Sequence, residues 1–277
     1  MKRDVPVTPG LNKFAAVVLA GERPGGSAFS RELGLAASVL VDVAGKPALA
    51  RVIDALEASG MVEGGLLCGP AEEIFRDNEE FRQILSESSF QWTAPESGPS
   101  ASALAALEQL DRFPVLLTAG DHALLTPDLV DFFCREAVKM DVDVVVGLAP
   151  YAIVHAAYPE SKRTVLKFSD GQYCGTNLFA ILNRKGKAGP VAWQEVEAQR
   201  KRPWRMVRRL GMGLLLRYLF GRLSLDKALE SLSSIMGCRA GYILIEVPRA
   251  AVDVDSVADR DLAVKILQGE RKAAEKP

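Results

Sequence analysis

The chain has few of the residues that build disulfide-rich, zinc-binding or membrane-spanning proteins. Its 277 residues include four cysteines and two histidines, and the cysteines are scattered without CxxC spacing. This pattern argues against a zinc site or a disulfide framework and favours a reducing compartment. No apolar stretch reaches the roughly 18 residues expected of a membrane span, and residues 1–12 lack the apolar core of a signal peptide. We therefore expect a soluble, cytoplasmic protein.

Acidic and basic residues are nearly balanced overall but are unevenly distributed. The formal net charge is -1, from 34 Lys and Arg against 35 Asp and Glu. Residues 1–199 carry 18 basic and 26 acidic residues, whereas residues 200–225 carry eight basic residues and no acidic one. A local basic block on an acidic body predicts one electropositive surface and argues against general nucleic-acid binding.

Short apolar runs alternate with segments of helical periodicity through most of the chain. The runs that predict strands are 14–20, 64–68, 114–118, 143–148 and 242–247, and residues 71–86 predict a single polar helix. Strands that alternate with helices of this length predict an α/β fold built on a mainly parallel sheet.

The predicted organisation is one domain that carries an insertion. We assign residues 13–268 to the domain, 1–12 to an N-terminal tail and 269–277 to a C-terminal tail. Residues 190–234 differ in composition and predict a helical, basic insertion. Because its arginines stand beside apolar residues, two interpretations are open. Residues 200–225 contact an anionic membrane surface or a lipid-linked substrate, or they form a helical cap or a homodimer contact.

Two acidic segments follow strand-like runs. Asp121 comes after the run 114–118, and Asp253, Asp255 and Asp259 come after the last run. Thr126 suits the start of the next helix better than Asp121 does, so Asp121 is left for a ligand at the carboxyl edge of the sheet. Carboxylates at such an edge can hold a hard divalent cation, which can in turn hold a triphosphate. Of the three later aspartates, we expect one to cap a helix and another to be a ligand.

The loop after the first strand is rich in glycine. Glycines let backbone N–H groups approach a phosphate closely, and Arg23 could neutralise its charge. The sequence LAGERPGG is neither GxGxxG nor GxxxxGK[ST], so an ordinary strand-to-helix loop stays open as an alternative. Further along the chain, Lys162 and Arg163 could bind a phosphate or lie in a solvated turn, and Asn177 could donate to a substrate hydroxyl.

Taken together, these segments resemble the MobA-like nucleotidyltransferases. The resemblance rests on five segments in family order: LAGERPGG (19–26), VAGKPALARVIDAL (43–56), LTAGDHALLTPDLV (117–130), GTNLFAI (175–181) and VDVDSVADRDLA (252–263). This family shares the GT-A-type fold with cytidylyltransferases and sugar-phosphate nucleotidyltransferases. The resemblance therefore implies a three-layer, Rossmann-like α/β fold with a mixed, mainly parallel sheet.

The resemblance also implies roles for single residues. It places Mg²⁺ on Asp121 and Asp255, and it makes Asp121 and Arg23 catalytic. Nucleotide contacts are implied for Leu19, Ala20, Gly21, Glu22, Arg23, Ser102 and Gly120. Substrate contacts are implied for Lys162, Arg163 and Asn177.

The implied activity is a Mg²⁺-dependent nucleotidyl transfer. An NTP, with CTP slightly favoured, and a phosphorylated small molecule would give an NDP-activated product and pyrophosphate. The family usually carries a lysine at the position of Ser38, where it counters triphosphate charge, and Arg23, Arg31 or Lys46 are the candidates to replace it.

Two alternatives to this activity stay open. One is a catalytically weak or inactive relative that binds nucleotide or acts as a scaffold, which the serine at position 38 favours. The other is a glycosyltransferase on the same fold. The Gly-Asp-His sequence at 120–122 argues against that alternative, because such enzymes more often carry Asp-x-Asp at this strand end.

Overall fold

An eight-stranded sheet with helices on both faces organises the chain in a computed structural model that describes residues 13–22, 25–199 and 212–274. The strands are β1 (Phe14–Leu19), β2 (Val62–Cys68), β3 (Phe90–Thr93), β4 (Val115–Ala119), β5 (Val144–Pro150), β6 (Leu166–Phe168), β7 (Gly171–Ile181) and β8 (Ala240–Leu244).

Most of the remaining described chain is helical. The α-helices are α1 (Ala28–Glu32), α2 (Ala48–Glu57), α3 (Glu72–Asp77), α4 (Glu79–Ser86), α5 (Pro99–Leu110), α6 (Pro127–Ala137), α7 (Tyr151–Ala157), α8 (Ala188–Gln199), α9 (Met212–Leu219), α10 (Leu225–Met236) and α11 (Val257–Ala274). Single 3-10 turns span Ser38–Leu40, Arg184–Lys187 and Pro248–Ala251.

The strand order is β3-β2-β1-β4-β7-β5-β8, and β6 pairs with β7. Neighbouring strands are parallel except at β7, which runs antiparallel to β4, β5 and β6. This arrangement confirms the predicted α/β fold with a mixed, mainly parallel sheet. Because Leu19 of β1 pairs with Ala119 of β4 in parallel register, the two strands end side by side at one carboxyl edge. That edge is where open α/β sheets bind ligands.

Strand β1 shows how the sequence produces three layers. Its residues are almost all buried, as expected of a central parallel strand covered on both faces. Phe14, Ala16 and Val18 belong to the core cluster that also contains the buried face of α2 and α6. Ala15 and Val17 belong to the cluster that contains the buried residues of α5. The alternation is the period of two that a strand imposes on its side chains.

The helix that follows β4 begins as its sequence predicts. The side chain of Thr126 accepts a hydrogen bond from the backbone N–H of Leu129 at 3.4 Å, and Pro127 occupies the first turn, where a proline needs no N–H partner. Thr126 is therefore the cap of α6. Asp121 is not needed for that purpose, in agreement with the sequence-based assignment.

Some elements differ from the predictions. The single polar helix predicted over 71–86 is two helices, α3 and α4, because the side chain of Asn78 caps a new start by accepting from Phe81 N–H at 3.1 Å. Strand β3 and helices α1 and α7 had no clear sequence signal. Helix α11 continues to Ala274, into the segment predicted as a C-terminal tail.

The predicted insertion is helical where the structure describes it, in α8, α9 and α10. Residues 200–211, which contain most of its basic residues, lie outside the described part, as do the predicted tail 1–12 and residues 275–277. Within the described ranges, no helix combines the length and apolarity needed to cross a membrane.

Candidate active site

The two acidic segments meet at the carboxyl edge of the sheet. Asp121 lies just beyond β4, and its backbone carbonyl accepts a hydrogen bond from the N–H of Val254 at 3.1 Å. Val252 and Val254 are fully buried in one core cluster. Because residues i and i+2 of an extended segment share a face, Asp253 and Asp255 point together to the other side. Alternation of valine and aspartate thus presents two carboxylates beside Asp121.

Asp121 is the most perturbed acid of this group. Its Oδ1 atom is buried and accepts no hydrogen bond from the described residues. Burial and, to a smaller extent, the nearby charges of Asp255, Asp253 and Asp259 raise the pKa of Asp121 to about 8, an effect that the backbone N–H of Asp121 itself partly offsets. A cation at this position would reverse the effect, because it favours the ionised carboxylate. The carboxyl group therefore lacks the partner that its ionised form requires.

The donors present fit magnesium better than a transition metal. Among the described residues, no group of three or more His, Cys, Asp or Glu side chains is arranged to hold a metal ion. Asp121 and Asp255 instead offer a pair of neighbouring carboxylates at the carboxyl edge of the sheet. Mg²⁺ is commonly held in this way, by one or two carboxylates together with substrate phosphates and water. The unpartnered oxygen of Asp121 is the observation that fits such an ion.

Arg163 holds the acidic segment in place. Its guanidinium donates to the carboxylates of Asp253 and Asp259, and its Nε donates to Ser161 Oγ at 2.7 Å. Only 7% of the arginine side chain is exposed, so these are largely buried charge-assisted contacts. Sequence reasoning predicted a substrate contact for Arg163 and missed this bridge, whose partners lie 90 and 96 residues further along the chain.

Ser256 caps the start of α11. Its hydroxyl accepts from Asp259 N–H at 3.2 Å and donates to the Asp259 carboxylate at 2.6 Å. This reciprocal pairing resembles a capping box. The expected aspartate cap is thus a serine assisted by Asp259, and the latter also binds Arg163.

A bulge in β7 turns Asn177 toward the acidic segment. The pairing of β5 with β7 shifts register between Val146 and Leu148, and Asn177 takes a positive φ of 53°. Asparagine tolerates this left-handed conformation better than most residues. The side-chain amide then donates to Asp253 Oδ2 at 3.4 Å. Bulges of this kind commonly re-aim a side chain near a site.

The residues predicted to contact the nucleotide lie along the ends of β1 and β4. Gly120 N–H donates to the carbonyl of Leu19 at 2.9 Å. A side chain at Gly120 would place its Cβ 3.3 Å from the Cβ of Ala20, so glycine permits this close packing. Ala20 is only 1% exposed, and its backbone N–H donates to the carbonyl of Cys68 at 2.9 Å, so this residue is covered by the sheet. Arg23, predicted as catalytic, lies outside the described residues.

Ser102 holds the segment that contains Pro95 and Glu96, which lies beside the loop after β1. It is 4% exposed, and its hydroxyl accepts from the N–H of Glu96 at 2.8 Å. Pro95 in the same segment packs within 3.7 Å of the position that a Cβ on Gly21 would occupy. The structure therefore brings Gly21 and the segment held by Ser102 together, as the predicted nucleotide site requires.

Glu22 links two backbone segments of the loop region that follows β1. Its carboxylate accepts hydrogen bonds from the N–H groups of Ser27 at 2.8 Å and Ser38 at 2.6 Å. The position that would hold the usual lysine is thus tied to the loop. Of the candidates to replace that lysine, Arg31 donates to the Gly26 carbonyl at 2.7 Å, and Lys46 pairs with Asp54.

A groove of about 1070 Å³ opens next to the acidic segment, between the loop that follows α7 and one face of α11. Its lining combines apolar, cationic and acidic side chains, including Tyr158, Lys162, Asp259, Leu262, Lys265 and Ile266. Lys162 was predicted as a substrate contact, whereas Lys265 and Tyr158 were missed. The spacing of residues 259, 262 and 266 places them on one helical face, and this is the signal that could have indicated α11 as a wall.

His122 contributes to the core and not to the reaction surface. It is 1% exposed, and neither ring nitrogen forms a hydrogen bond of normal geometry with the described residues. Burial lowers the pKa of His122 to about 4, an effect that the Ala250 backbone partly offsets. The ring is therefore neutral near pH 7.

The sheet order, with helices on both faces of the sheet, defines a three-layer, Rossmann-like α/β fold. The family described as the MobA-like NTP transferase domain matches residues 16–179 of the chain. Since this is more than half of its length, the chain belongs to that family. Asp121 lies within the matched residues and Asp255 lies beyond them.

Solved structures extend the similarity over most of the chain. A hypothetical transferase from Thermus thermophilus superposes with a TM-score of 0.74 and 29% sequence identity, covering 90% of this chain and 99% of that one. A comparison with curated proteins gives no match.

Two further structures are more distant in sequence. A CMP:2-keto-3-deoxy-manno-octonic acid synthetase complexed with CTP has a TM-score of 0.58 at 12% identity, covering 93% of this chain and 99% of that one. A 4-diphosphocytidyl-2C-methyl-D-erythritol synthase from Anaerococcus prevotii DSM 20548 has a TM-score of 0.54 at 12% identity, with the same coverage. At this level of identity the likeness shows the fold alone.

Proposed function

We propose that the chain transfers a nucleotidyl group from an NTP, with CTP favoured, to a phosphorylated small molecule in a Mg²⁺-dependent reaction. The products are an NDP-activated compound and pyrophosphate. The observation that carries the proposal is the buried Oδ1 of Asp121, which has no hydrogen-bond donor and lies beside Asp255 at the carboxyl edge of β4. A buried carboxylate oxygen without a hydrogen-bond donor is suited to bind a cation that enters the site together with the nucleotide.

In the proposed reaction, an oxygen of the acceptor phosphate attacks the α-phosphorus of the NTP. The bond between the α-phosphorus and the bridging oxygen breaks, and its electron pair leaves with pyrophosphate. Mg²⁺, when bound, would offset negative charge on the α-phosphate and on the leaving group. Asp121 and Asp255 would hold that ion. Arg163 and Asn177 hold Asp253 and so fix the segment that carries Asp255.

The substrates enter from two sides of the acidic pair. The nucleotide lies against the partly exposed Leu19 and the exposed Gly21, and the buried Gly120 supports Leu19 through its hydrogen bond. The acceptor occupies the groove of about 1070 Å³, where its phosphate pairs directly with Lys162 and Lys265, although Glu160, Asp259, Asp261 and Glu270 also line the groove. The preference for CTP is supported by the distant synthetase that was solved with CTP and by the diphosphocytidyl synthase.

A specific observation favours a second candidate, a nucleotide-binding protein without turnover. The position of the usual lysine is Ser38, whose N–H is bound by Glu22. Of the three cations that could replace the lysine, Lys46 is paired with Asp54, Arg31 is bound to the loop backbone and Arg23 lies outside the described residues. Binding and turnover must therefore be measured separately.

The test is pyrophosphate release by the purified full chain with each of the four NTPs and a panel of sugar phosphates and polyol phosphates. Reactions run with MgCl₂ or with EDTA. We expect release with CTP in MgCl₂ and none in EDTA. Asp121→Asn should lower the rate at least about 100-fold, since it removes a group that holds charge in the transition state.

The matched control is Asp141→Asn, because Asp141 precedes β5 at the opposite edge of the sheet and its side chain is 92% exposed. It should keep the wild-type rate. Turnover by Asp121→Asn within tenfold of wild type would reject the assignment of Asp121. Metal-dependent NTP binding without pyrophosphate release from any pair would support the second candidate.

A further inference from the structure

The C-terminal end of α9 presents large apolar side chains to solvent. Leu219 is 67% exposed and Phe220, the next residue, is 73% exposed, while Leu216 and Tyr218 are 43% and 38% exposed. We call these four residues the α9 tip. Adjacent exposed side chains of this size are uncommon on a monomeric surface and mark a site of interaction.

The α9 tip is fixed to the body of the protein on both sides. The ring of Tyr218 packs edge-on against Phe168 at a centroid distance of 6.0 Å. Beyond the tip, Leu223 is 4% exposed, and its carbonyl accepts from Ser169 N–H at 2.8 Å. The N–H of Leu225 binds the carboxylate of Asp170 at 3.1 Å. The exposed residues are therefore held outward by contacts with the β6–β7 hairpin.

Positive charge surrounds the apolar residues. Arg217 precedes Tyr218, Arg222 follows Gly221, and both arginines are exposed. Along the sequence, residues 200–225 carry eight basic residues and no acidic one, whereas residues 1–199 carry eight more acidic than basic residues (26 against 18). Apolar side chains beside arginines are the combination by which peripheral proteins bind anionic bilayers.

We propose that the α9 tip docks on an anionic lipid bilayer. Leu219 and Phe220 enter the interfacial region, and Arg217 and Arg222 contact anionic headgroups. A second copy of this chain fits less well, because a two-fold contact would place the same patch on both sides and bring Arg217 and Arg222 close to the same two arginines of the other copy. The acidic remainder of the protein would be repelled by the same bilayer, and this favours one orientation.

The position of the α9 tip gives the docking a consequence. Pro150 pairs with Tyr173, and Leu117 pairs with Phe179, so the first residues of β7 and the hairpin turn extend beyond the carboxyl ends of β4 and β5. The candidate active site lies at this same edge. Docking would therefore bring that edge of the sheet toward the membrane.

The test is co-sedimentation of the full chain with vesicles of phosphatidylcholine alone and of phosphatidylcholine mixed with phosphatidylglycerol. We expect binding only to the mixed vesicles and weaker binding as salt is raised. The double variant Leu219→Ser with Phe220→Ser should bind at least about tenfold more weakly, since two exposed apolar side chains no longer enter the bilayer. Arg217→Gln with Arg222→Gln should reduce both the binding and its salt dependence.

Phe132→Ser is the matched control. Phe132 is 44% exposed on α6, and its replacement by serine removes an exposed aromatic side chain away from the α9 tip. It should bind as the wild type does. The proposal is overturned if wild type ignores anionic vesicles or if the serine double variant binds them equally well. It is also overturned if light scattering finds a dimer that the double variant loses while vesicle binding is absent, since the tip would then be a self-interface.

Discussion

Ionisation of the buried Asp121 carboxyl group lowers the stability of the folded chain, and no described side chain offsets this by donating a hydrogen bond to its Oδ1 atom. A buried carboxylate oxygen without a donor, close to three other acids, disfavours the ionised form and lowers the stability of the folded chain. Evolved proteins tolerate such a group where it serves a ligand. The cost is the physical reason for interpreting Asp121 as a metal ligand and not as a structural residue.

Arg163 relieves the same charge cluster at a second point. Arg163→Met should lower the free energy of unfolding by about 3 kcal/mol, because it leaves Asp253 and Asp259 without their partly buried cation. Urea denaturation monitored by circular dichroism measures the change. Added MgCl₂ should recover part of the loss, since a divalent cation replaces some of the missing positive charge.

Arg184→Met is the matched control for this prediction. Arg184 pairs with Asp111, but the two side chains are 71% and 61% exposed, so the pair contributes less than about 1 kcal/mol. If both variants lost the same free energy of unfolding, the ion pairs of Arg163 would contribute no more to stability than an exposed surface pair.

Single residues of the site were predictable where a local rule applied. Asp121 and Asp255 follow strand-like runs, and Thr126 has the sequence of a cap, so the free carboxylate could be identified from its neighbours. The bridges made by Arg163 depend on partners 90 and 96 residues further along the chain. No local pattern indicates such partners, and the structure was needed to find them.

At the scale of elements, the strands with continuous apolar sequence were the most predictable. β1 and β4 are buried on both faces and therefore have a clear apolar signal. β3 has only four residues and a mixed burial pattern, so its sequence lacks that signal. The direction of β7 was not predictable, because it is set by which strands it pairs with and not by its own residues.

The pairing of β1 with β2 depends on a glycine. A Cβ on Gly65 would lie 1.8 Å from the carbonyl oxygen of Ala16, at a point where the register of the two strands shifts. Gly65→Ala should therefore lower the free energy of unfolding by at least about 3 kcal/mol, because the clash is with backbone and cannot be relieved by a rotamer change. Soluble yield and urea denaturation measure the effect.

Gly269→Ala is the control for that substitution. Gly269 lies in α11, and a Cβ there meets nothing within 4 Å. Alanine should raise stability by about 0.5 to 1 kcal/mol, since it has the higher helix propensity. A Gly65→Ala protein as stable as wild type would contradict the pairing described for β1 and β2.

At the scale of the whole molecule, Asp143 joins distant parts of the chain. Its carboxylate accepts from Arg239 N–H at 2.7 Å and from the Asn183 side chain at 2.9 Å, and the residue is 5% exposed. These contacts tie the start of β5 to the start of β8 and to the end of β7. The Arg239 N–H, helped by Asn183, lowers the pKa of Asp143 below its ordinary value.

A lowered carboxyl pKa in the folded state fixes the sign of a pH effect. The stabilisation by the Asp143 carboxylate is fully present above the pKa of an unfolded aspartate, about 4. It is lost as the pH falls through the lower pKa that this carboxyl group has in the folded chain. Stability should therefore fall more steeply below about pH 4 in the wild type than in Asp143→Asn. Thermal unfolding between neutral and acid pH measures both slopes. If the unfolding temperatures of the two proteins fell equally with pH, Asp143 would make no contribution to the pH dependence of stability.

The whole fold class was predictable from the sequence, because strand and helix signals alternate in an order that few architectures accommodate. The groove beside α11 was not, since it is formed by two segments about 100 residues apart that only the folded chain brings together. Under the proposed function this lining selects the acceptor, and for this reason the sequence indicates the reaction class better than the substrate.

The metal and nucleotide site at Asp121 and Asp255 is tested most directly by the thermal stability of the full chain with each NTP, in MgCl₂ and in EDTA. We expect CTP with MgCl₂ to raise the unfolding temperature by about 5 °C when CTP is roughly 100 times its dissociation constant. The increase should disappear in EDTA, in Asp121→Asn and in Asp255→Asn, and it should persist in Asp141→Asn. Without nucleotide, Asp121→Asn should be at least as stable as wild type. If no NTP gives a Mg²⁺-dependent increase, or if Asp121→Asn keeps the full increase, Asp121 and Asp255 do not form the site described.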